Sequence, residues 1–285
     1  MAFDKTGKFN IDVAKSIKQV KMKHTLLITG AEGFIGKRLT KLLENEYEVI
    51  GVDIKSNNDV TNYWRMNDLF KTTRPDYVVH LAAGLDNKIF NNLKNNIYGT
   101  KVMASLCKKY KVNKLVFTSS AAVYGNAHQA DENGVLHPIN NYGLAKKYCE
   151  RVIKNKNIPY IILRFANVYG KGGKGVISKW KESAEYNLAG KPNYTRDFVH
   201  VTDVCRAIEK GIKSEVCNET FNISTGIETD LAQLSSIMNI DTLNELKPNK
   251  KEIEFSSLCN EKAQKILRWN PKVDLKTGVE QYELL

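Results

Sequence analysis

Residues 140–152 (NNYGLAKKYCERV) place Tyr142 four residues before Lys146 in a stretch whose pattern predicts a helix. Residues four apart lie on the same face of a helix, so both side chains can reach one cleft. A free tyrosine has a pKa of about 10, and a neighbouring ammonium favours its phenolate. The spacing therefore permits Tyr142 to act as a general base on a hydroxyl group. Lysine is common along the whole chain, so the pair alone also fits an ordinary surface helix.

A third candidate residue, Ser120, ends the run KLVFTSS at residues 114–120, which is predicted as a buried strand. A hydroxyl group at the end of such a strand can hydrogen-bond a reacting oxygen and stabilise the charge that develops on it. Ser120 would therefore complement a base on the following helix, if the fold brings the two together.

The elements that must position these residues alternate regularly from residue 24 onward. Each strand-like run is short and apolar enough to be buried on both faces. The predicted strands are 24–30, 47–53, 76–82, 114–120 and 159–165, and the predicted helices are 35–43, 63–71, 93–110 and 142–155. This alternation predicts an α/β fold, a doubly wound parallel sheet with right-handed crossovers and helices on both sides.

After residue 166 the alternation breaks, and a smaller second unit is predicted. Glycines cluster at 170–175, a helical pattern covers 176–188, and strand-like pieces follow at 219–224 and 252–256. We expect an N-terminal extension (1–23), a cofactor-binding domain (24–168, with 197–224 returning to it) and a C-terminal α/β substrate-binding lobe (169–196 and 225–285).

The turn after the first strand, TGAEGFIG, carries Gly30, Gly33 and Gly36 before the first helix. Glycines there permit unusual backbone angles and let a pyrophosphate approach the helix N-terminus, where free N–H groups favour negative charge. Asp53 ends the second strand, 23 residues after Gly30, where a carboxylate can accept both hydroxyls of an adenosine ribose and repel a 2′-phosphate. The pattern predicts a Rossmann-type dinucleotide site that favours NAD over NADP, although Lys55 lies two residues beyond the acid.

Further motifs follow in a fixed order. They are DV at 59–60, HLAA at 80–83, NIYGT at 96–100, TSSAAVYG at 118–125, YGLAK at 142–146, LRFANVYG at 163–170, RDFVHVTDV at 196–204 and FNISTG at 221–226. With these motifs the chain resembles the extended short-chain dehydrogenases/reductases of the NAD-dependent epimerase/dehydratase family, whose members act on nucleotide-activated sugars. The resemblance covers residues 24–225 well and the tail loosely.

The resemblance implies a site, which includes the residues singled out above. The catalytic residues would be Ser120, Tyr142 and Lys146, and the substrate residues Ser120, Asn167 and Arg196, the last two at the sugar-nucleotide diphosphate. The cofactor-binding residues would be Gly30, Gly33, Phe34, Ile35, Gly36, Asp53, Asp59, Val60, Leu81, Ala82, Ala83, Asn96, Thr118, Tyr142, Lys146, Phe165 and Val168.

Members of the family share oxidation at C4 of the sugar and differ in the steps that follow. Dehydratases of the family need an acid and a base directly after the catalytic hydroxyl, whereas this chain has Ala121 and Ala122, which disfavours a 4,6-dehydratase. Enzymes that combine 3,5-epimerisation with reduction need a cysteine or a comparable acid near this loop, and residues 121–125 contain none. The preferred hypothesis is an NAD-dependent nucleotide-sugar 4-epimerase, similar to UDP-glucose 4-epimerase. The alternatives are an NAD(P)-dependent 4-ketoreductase or 4-dehydrogenase, which the abridged segment 189–198 favours, and a catalytically silent NAD-binding regulator or scaffold. The tail at 247–260 lacks the family's late arginine for the diphosphate, so the nucleotide and the sugar stay open.

Composition limits the other function classes. The net charge of +12 is spread along the chain without an arginine-rich arm, which argues against nucleic acid, and no apolar run approaches the ~18 residues of a membrane span. Five cysteines without a CxxC pair indicate reduced thiols in a cytoplasmic protein and no metal site. The resemblance implies a homodimer built on helices 93–110 and 141–155, and a place in nucleotide-sugar metabolism for polysaccharide biosynthesis.

Overall fold

The computed structural model describes residues 23–84, 93–182, 186–246 and 252–284. Apart from residue 23, the predicted N-terminal extension lies outside the described residues. The strands are β1 (Thr25–Thr29), β2 (Glu48–Val52), β3 (Tyr77–His80), β4 (Lys114–Ser120), β5 (Ala127–Ala130), β6 (Tyr160–Phe165), β7 (Asn167–Tyr169), β8 (Asn187–Ala189), β9 (Thr195–His200), β10 (Glu219–Ile223), β11 (Glu228–Asp230), β12 (Asn244–Leu246) and β13 (Phe255–Leu258).

The helices alternate with these strands. They are α1 (Phe34–Leu43), α2 (Tyr63–Thr73), α3 (Gly99–Lys109), α4 (Asn141–Lys154), α5 (Val176–Glu182), α6 (Val201–Lys213), α7 (Leu231–Ile237), α8 (Glu261–Leu267) and α9 (Leu275–Glu280). Short 3₁₀ turns occupy Ile54–Ser56 and Ala121–Val123, and a π-helical segment, Leu93–Tyr98, leads into α3. Within the described residues, no helix combines the length and the apolar character that a bilayer crossing needs.

The main sheet has six parallel strands in the order β10-β6-β4-β3-β1-β2. Successive side chains of a strand point to opposite faces, and β1 shows this directly. Leu26 and Ile28 pack into one core together with α1 and α6, whereas Leu27 packs into a second core with α2, α3 and α4. The predicted α/β, Rossmann-type doubly wound sheet is confirmed, and its strands lie within the runs predicted from the sequence.

The order of the main sheet defines a crevice. From β1 the chain moves outward to β2, and then returns past β1 to β3 on its other side. In open α/β sheets, ligands bind outside the carboxyl ends of the strands at such a switch point. The turn after β1 and the loop after β3 border this crevice.

A second, smaller sheet has the order β11-β9-β13-β5, with β7 also paired to β9, and β8 pairs with β12. A third core, which includes Tyr169, Trp180 and Phe198, packs beneath it. Two expectations need correction. The helix predicted for 176–188 ends at Glu182, and residues 187–189 form β8, which pairs with β12. The strand predicted for 252–256 lies at Phe255–Leu258, where it pairs with β9. In both cases the partner strand is distant in the sequence, so no local pattern sets the boundary.

Candidate active site

The turn after β1 forms a cradle that only glycine permits. Gly30 has φ +72°, and a β-carbon on it would lie 2.9 Å from the backbone nitrogen of Ala82. The N–H of Gly33 donates to the carbonyl of Gly30 at 3.0 Å, which closes the turn. A β-carbon on Gly36 would lie 2.7 Å from the Cα of Ala31, so the helix packs close to the strand. The cradle therefore leaves the N-terminus of the ten-residue helix α1 open to a phosphate group.

Asp53, the residue after β2, lies beside this cradle. Its carboxylate accepts hydrogen bonds from the backbone N–H of Glu32 in the glycine turn, at 3.0 Å, and from that of Lys55, at 3.1 Å. An ionised carboxylate offers about four acceptor positions, so these two bonds leave capacity for ribose hydroxyls. The arrangement fits the dinucleotide predicted from the sequence.

Four further residues are expected at the dinucleotide, two near its adenine and two beside the pyrophosphate turn. Asp59 accepts from the N–H of Thr61 at 2.8 Å, which turns the chain, and Val60 is buried next to Gly99. At the start of α1, the ring of Phe34 lies under the Arg38 guanidinium, 5.0 Å from its carbon, and the carbonyl of Ile35 faces the thiol of Cys205.

The loop after β3 is held by backbone and side-chain bonds. The N–H of Leu81 donates to the carbonyl of Thr29 at 3.1 Å, and that of Ala82 to its hydroxyl at 3.2 Å. Asn96, which is buried, pairs with both the N–H and the carbonyl of Gly84 at 2.7 and 3.1 Å. With Ala83 between them, these residues form the wall opposite the glycine turn. Asn96 thus holds this wall through its backbone.

Ser120 and Tyr142 meet at the carboxyl edge of the main sheet. Ser120 ends β4, where its Oγ accepts from the N–H of Ala122 at 3.2 Å, and it forms a side-chain hydrogen bond with Tyr142. Asn140 caps α4 by accepting from the N–H of Gly143 at 2.8 Å, which sets Tyr142 in the first turn of the helix.

Lys146 lies one turn further along α4 and is buried. Its Nζ donates to the carbonyl of Thr118 at 2.6 Å and lies 5.8 Å from the centre of the Tyr142 ring and 4.8 Å from that of Phe117. The hydroxyl of Thr118 in turn donates to the carbonyl of His80 at 3.2 Å. The structure therefore brings Ser120, Tyr142 and Lys146 together.

The charge state of Tyr142 departs from the expectation that Lys146 lowers its pKa. Burial raises the pKa of Tyr142 to about 12, and the hydrogen bond from Ser120 opposes this rise. Burial also lowers the pKa of Lys146 to about 8, against weaker raising effects of Cys149 and Glu150. The reason for the difference is that the ammonium is bonded to the Thr118 carbonyl, while the phenol has lost much of its water.

A buried ion pair lies behind this edge. Arg164 of β6 donates to both carboxylate oxygens of Glu150 in α4, at 2.9 and 2.8 Å, and to the hydroxyl of Tyr124 at 2.6 Å. Ser119, the neighbour of Ser120, donates to the same carboxylate at 2.6 Å. Successive side chains of a strand alternate between its faces, as Val116 and Phe117 of β4 do, so the two adjacent serines face opposite sides of β4.

A cleft of about 220 Å³ opens beside Ser120 and Tyr142. Its lining residues come from both sheets and the loops between them: Ser120, Ala121, Ala122, Asn140, Tyr142, Phe165, Ala166, Asn167, Arg196, Glu252, Ile253 and Ser256. The predicted substrate residues Asn167 and Arg196 thus share one cleft with Ser120. Phe165 also lines the cleft, whereas Val168 lies in β7 next to the lining residue Asn167.

Arg196 is held on three acceptors. Its Nη2 pairs with the carboxylate of Glu252 at 3.0 Å, and its Nη1 donates to the carbonyls of Thr195 and Glu254 at 2.9 and 3.2 Å. Burial lowers the pKa of Arg196 and Glu252 raises it, and an arginine stays protonated in either case. Sequence reasoning missed Glu252 and Asn140. A polar residue just before a helix signals a cap, which could have found Asn140, but no local signal links Glu252 to an arginine 56 residues earlier.

Comparison with known proteins agrees with this geometry. The sequence pattern of the NAD dependent epimerase/dehydratase family matches residues 26–224, and the chain belongs to this family. It is therefore an enzyme, and its cofactor is NAD. In the described part of the chain, no group of three or more His, Cys, Asp or Glu residues is placed to hold a metal ion.

Three similar proteins stand out. A putative UDP-glucose 4-epimerase of Methanocaldococcus jannaschii is 35% identical, over 90% of this chain and 96% of its own. A GDP-6-deoxy-D-talose 4-dehydrogenase of Aggregatibacter actinomycetemcomitans is 30% identical, over 80% and 83%. The crystal structure of a UDP-glucose 4-epimerase from Thermotoga maritima with UDP-glucose superposes with a TM-score of 0.83 at 32% identity, over 90% of this chain and 97% of that one.

Proposed function

We propose that this enzyme is a nucleotide-sugar 4-epimerase that acts on a UDP-sugar. The observation that carries the proposal is that Ser120, Tyr142 and Lys146 meet at the carboxyl edge of the main sheet, where Ser120 and Tyr142 line the cleft that Arg196 also lines. The methyl groups of Ala121 and Ala122 line the same cleft, so the described loop offers no acid or base for a dehydration step.

The proposed roles follow from the contacts. Tyr142 takes the proton of the C4 hydroxyl and later returns it, while Ser120 donates a hydrogen bond to the same oxygen and stabilises its negative charge. The glycine turn and Asp53 would hold NAD, and the cofactor would supply the hydride-transfer chemistry at C4. Lys146 remains largely protonated at pH 7, since its pKa is about 8, and so supplies positive charge beside the phenol. Burial raises the pKa of Tyr142 and the hydrogen bond with Ser120 lowers it, and the charge of an oxidised nicotinamide would favour the phenolate further.

The proposed cofactor contacts divide by chemistry. The glycine turn and the first turn of α1 would hold the pyrophosphate, and the carboxylate of Asp53 would accept the adenosine ribose hydroxyls. Residues on both sides of the crevice would supply the remaining contacts with the cofactor. The residues proposed are Gly30, Gly33, Phe34, Ile35, Gly36, Asp59, Val60, Leu81, Ala82, Ala83, Asn96, Thr118, Phe165 and Val168.

Substrate binding would rest on Arg196 and Asn167. The guanidinium of Arg196 can form charge-assisted hydrogen bonds with a diphosphate, and the amide of Asn167 lines the same cleft. The two similar epimerases support UDP as the nucleotide.

A 4-dehydrogenase is the second candidate, because one relative at 30% identity has that activity. The two hypotheses differ in how the cofactor turns over: an epimerase regenerates its NAD within each cycle, whereas a dehydrogenase consumes it. The purified protein, loaded with NAD and then freed of excess cofactor, should interconvert UDP-glucose and UDP-galactose over many turnovers. Product limited to one equivalent per bound NAD, with stoichiometric NADH, would select the dehydrogenase instead.

We also propose that the protein is a cytoplasmic homodimer. Tyr98, Leu144 and Tyr148 are about half exposed on adjoining helical segments, and α3 packs against α4. Such a pair of helices can pair with its copy in a second subunit to bury these apolar side chains. Light scattering after size exclusion should give twice the chain's mass of 32.3 kDa, and Tyr148→Lys with Leu144→Lys should restore the monomer.

A further inference from the structure

The cleft holds one acidic side chain that the reaction does not use. Glu252 lies in the same cleft as Ser120 and Tyr142, and its carboxylate is one-third exposed. Among the described lining residues, Arg196 and Glu252 are the charged pair, and the other side chains are apolar or neutral polar groups. The described lining therefore carries no net charge.

Glu252 is held in position by the strand pairing around it. The carbonyl of Glu254 accepts from the N–H of Thr195 at 2.9 Å and from Arg196 Nη1 at 3.2 Å. On the other side, the amide oxygen of Asn126 accepts from the N–H of Glu254 at 2.7 Å. Because the chain two residues away is tied to β9 and to the loop after Gly125, the Glu252 carboxylate stays in the cleft.

The charges of this cleft restrict the sugar. The diphosphate of a nucleotide sugar is an anion, and Arg196 is the described cation available to it. Glu252 already balances Arg196, so the described lining of the cleft offers no further cation for a second anionic group. A carboxylate on the sugar would share this cleft of about 220 Å³ with Glu252, and like charges repel at such short range.

We propose that Glu252 is a specificity-determining residue that restricts the enzyme to sugars uncharged at C6 and disfavours uronic acids. The inference rests on the proposed function, because it concerns the sugar that the same cleft receives. It goes further in that it assigns a discriminating role to one side chain and a charge class to the substrate.

UDP-glucose and UDP-glucuronate make a matched pair of probes, because they differ only at C6. We would measure binding of both to the NAD-loaded Tyr142→Phe variant, in which binding can be read without turnover. The same measurement follows in that background with Glu252→Gln, and with Glu254→Gln as the matched control. Glu254 lies on the same segment, and its contacts with Arg196 and Asn126 use the backbone.

With Glu252 intact, UDP-glucose should bind at least about tenfold more tightly than UDP-glucuronate, which corresponds to about 1.4 kcal/mol. Glu252→Gln should lower the ratio of the affinity for UDP-glucose to that for UDP-glucuronate about tenfold, through tighter binding of UDP-glucuronate. Glu254→Gln should leave this ratio unchanged. Equal or tighter binding of UDP-glucuronate before the substitution, or an unchanged ratio after it, overturns the inference.

The two proposals can fail separately. If the wild-type enzyme interconverts UDP-glucose and UDP-galactose but the variants show no charge selectivity, the proposed function stands and the role of Glu252 is wrong. If selectivity is present but no C4 interconversion occurs, the role of Glu252 stands and the epimerase assignment is wrong. If neither UDP-sugar binds, both are overturned.

Discussion

The cofactor side and the substrate side of this cleft are built in different ways. On the cofactor side, Gly30 and Asp53 belong to consecutive strand-helix units and are joined through the backbone of Glu32. On the substrate side, Arg196 meets Glu252, which lies 56 residues later in the chain, in the segment that leads into β13. Backbone geometry makes the first site, whereas paired charges from distant segments make the second. Local motifs therefore disclose the cofactor, while the choice of sugar depends on contacts that no motif contains.

The largest effect should come from the residue on which both sides converge. Tyr142→Phe removes the proton acceptor but keeps the ring, so C4 interconversion should fall by about 10²–10⁴-fold while NAD still binds. Turnover of UDP-galactose and fluorescence titration with NAD would measure the two quantities. Tyr148→Phe, on the exposed face of the same helix, is the control and should keep its activity. Full activity in Tyr142→Phe would reject Tyr142 as the base.

A substitution in the glycine turn tests whether its backbone geometry is needed for NAD binding. Gly30→Ala adds a methyl group 2.9 Å from the nitrogen of Ala82, at a residue with φ +72°. We expect NAD affinity to fall by more than tenfold and the free energy of unfolding to fall by about 1–3 kcal/mol. Gly172→Ala is the matched control, because Gly172 has φ +79° but open space around its Cα, so it isolates the backbone strain from the close approach. Similar losses of NAD affinity in both variants would contradict a close-packed cradle.

A smaller change should separate NAD from NADP. Asp53→Ala removes the proposed acceptor of the ribose hydroxyls and also the bond to the Glu32 N–H, so affinity for NAD should fall about tenfold. Affinity for NADP should change less, because the carboxylate no longer repels a 2′-phosphate. Calorimetric titration with both dinucleotides gives the ratio, and an equal loss for the two would count against the ribose assignment.

The smallest effect concerns pH. Lys146 has a folded-state pKa of about 8, below its ordinary value of 10.5, so between these values the unfolded chain binds more protons and stability from this group rises with pH. Lys146→Met removes the buried charge. Its free energy of unfolding should therefore exceed that of the wild type by most near pH 7, and the difference should shrink by pH 10. Urea unfolding at several pH values measures this difference. The exposed Lys154→Met on the same helix should show no such trend.

Much of the fold was accessible from the sequence, because buried parallel strands are continuous apolar runs with helices between them. Ser120, Tyr142 and Lys146 also came together as the strand-end and helix-face arguments required. Of the second sheet, the sequence predicted β13 alone, with shifted bounds, since three-residue strands such as β7 and β11 carry almost no periodicity. Lys146 does not lower the pKa of Tyr142 as the spacing suggests, because spacing shows that an ammonium is near but not that the phenol loses its water or that Lys146 binds the Thr118 carbonyl.

Ser119 and Ser120 are chemically identical neighbours, yet the pleat of β4 sends one hydroxyl to the buried Glu150 and the other to Tyr142. A slip of β4 that moved Ser120 into the place of Ser119 would bring Ala121 beside the phenol, and the strand would then offer no hydroxyl there. Correct alignment of this strand during folding is therefore a condition for catalysis as well as for stability. An insertion or deletion within β4 should consequently be tolerated far less than a substitution at either serine.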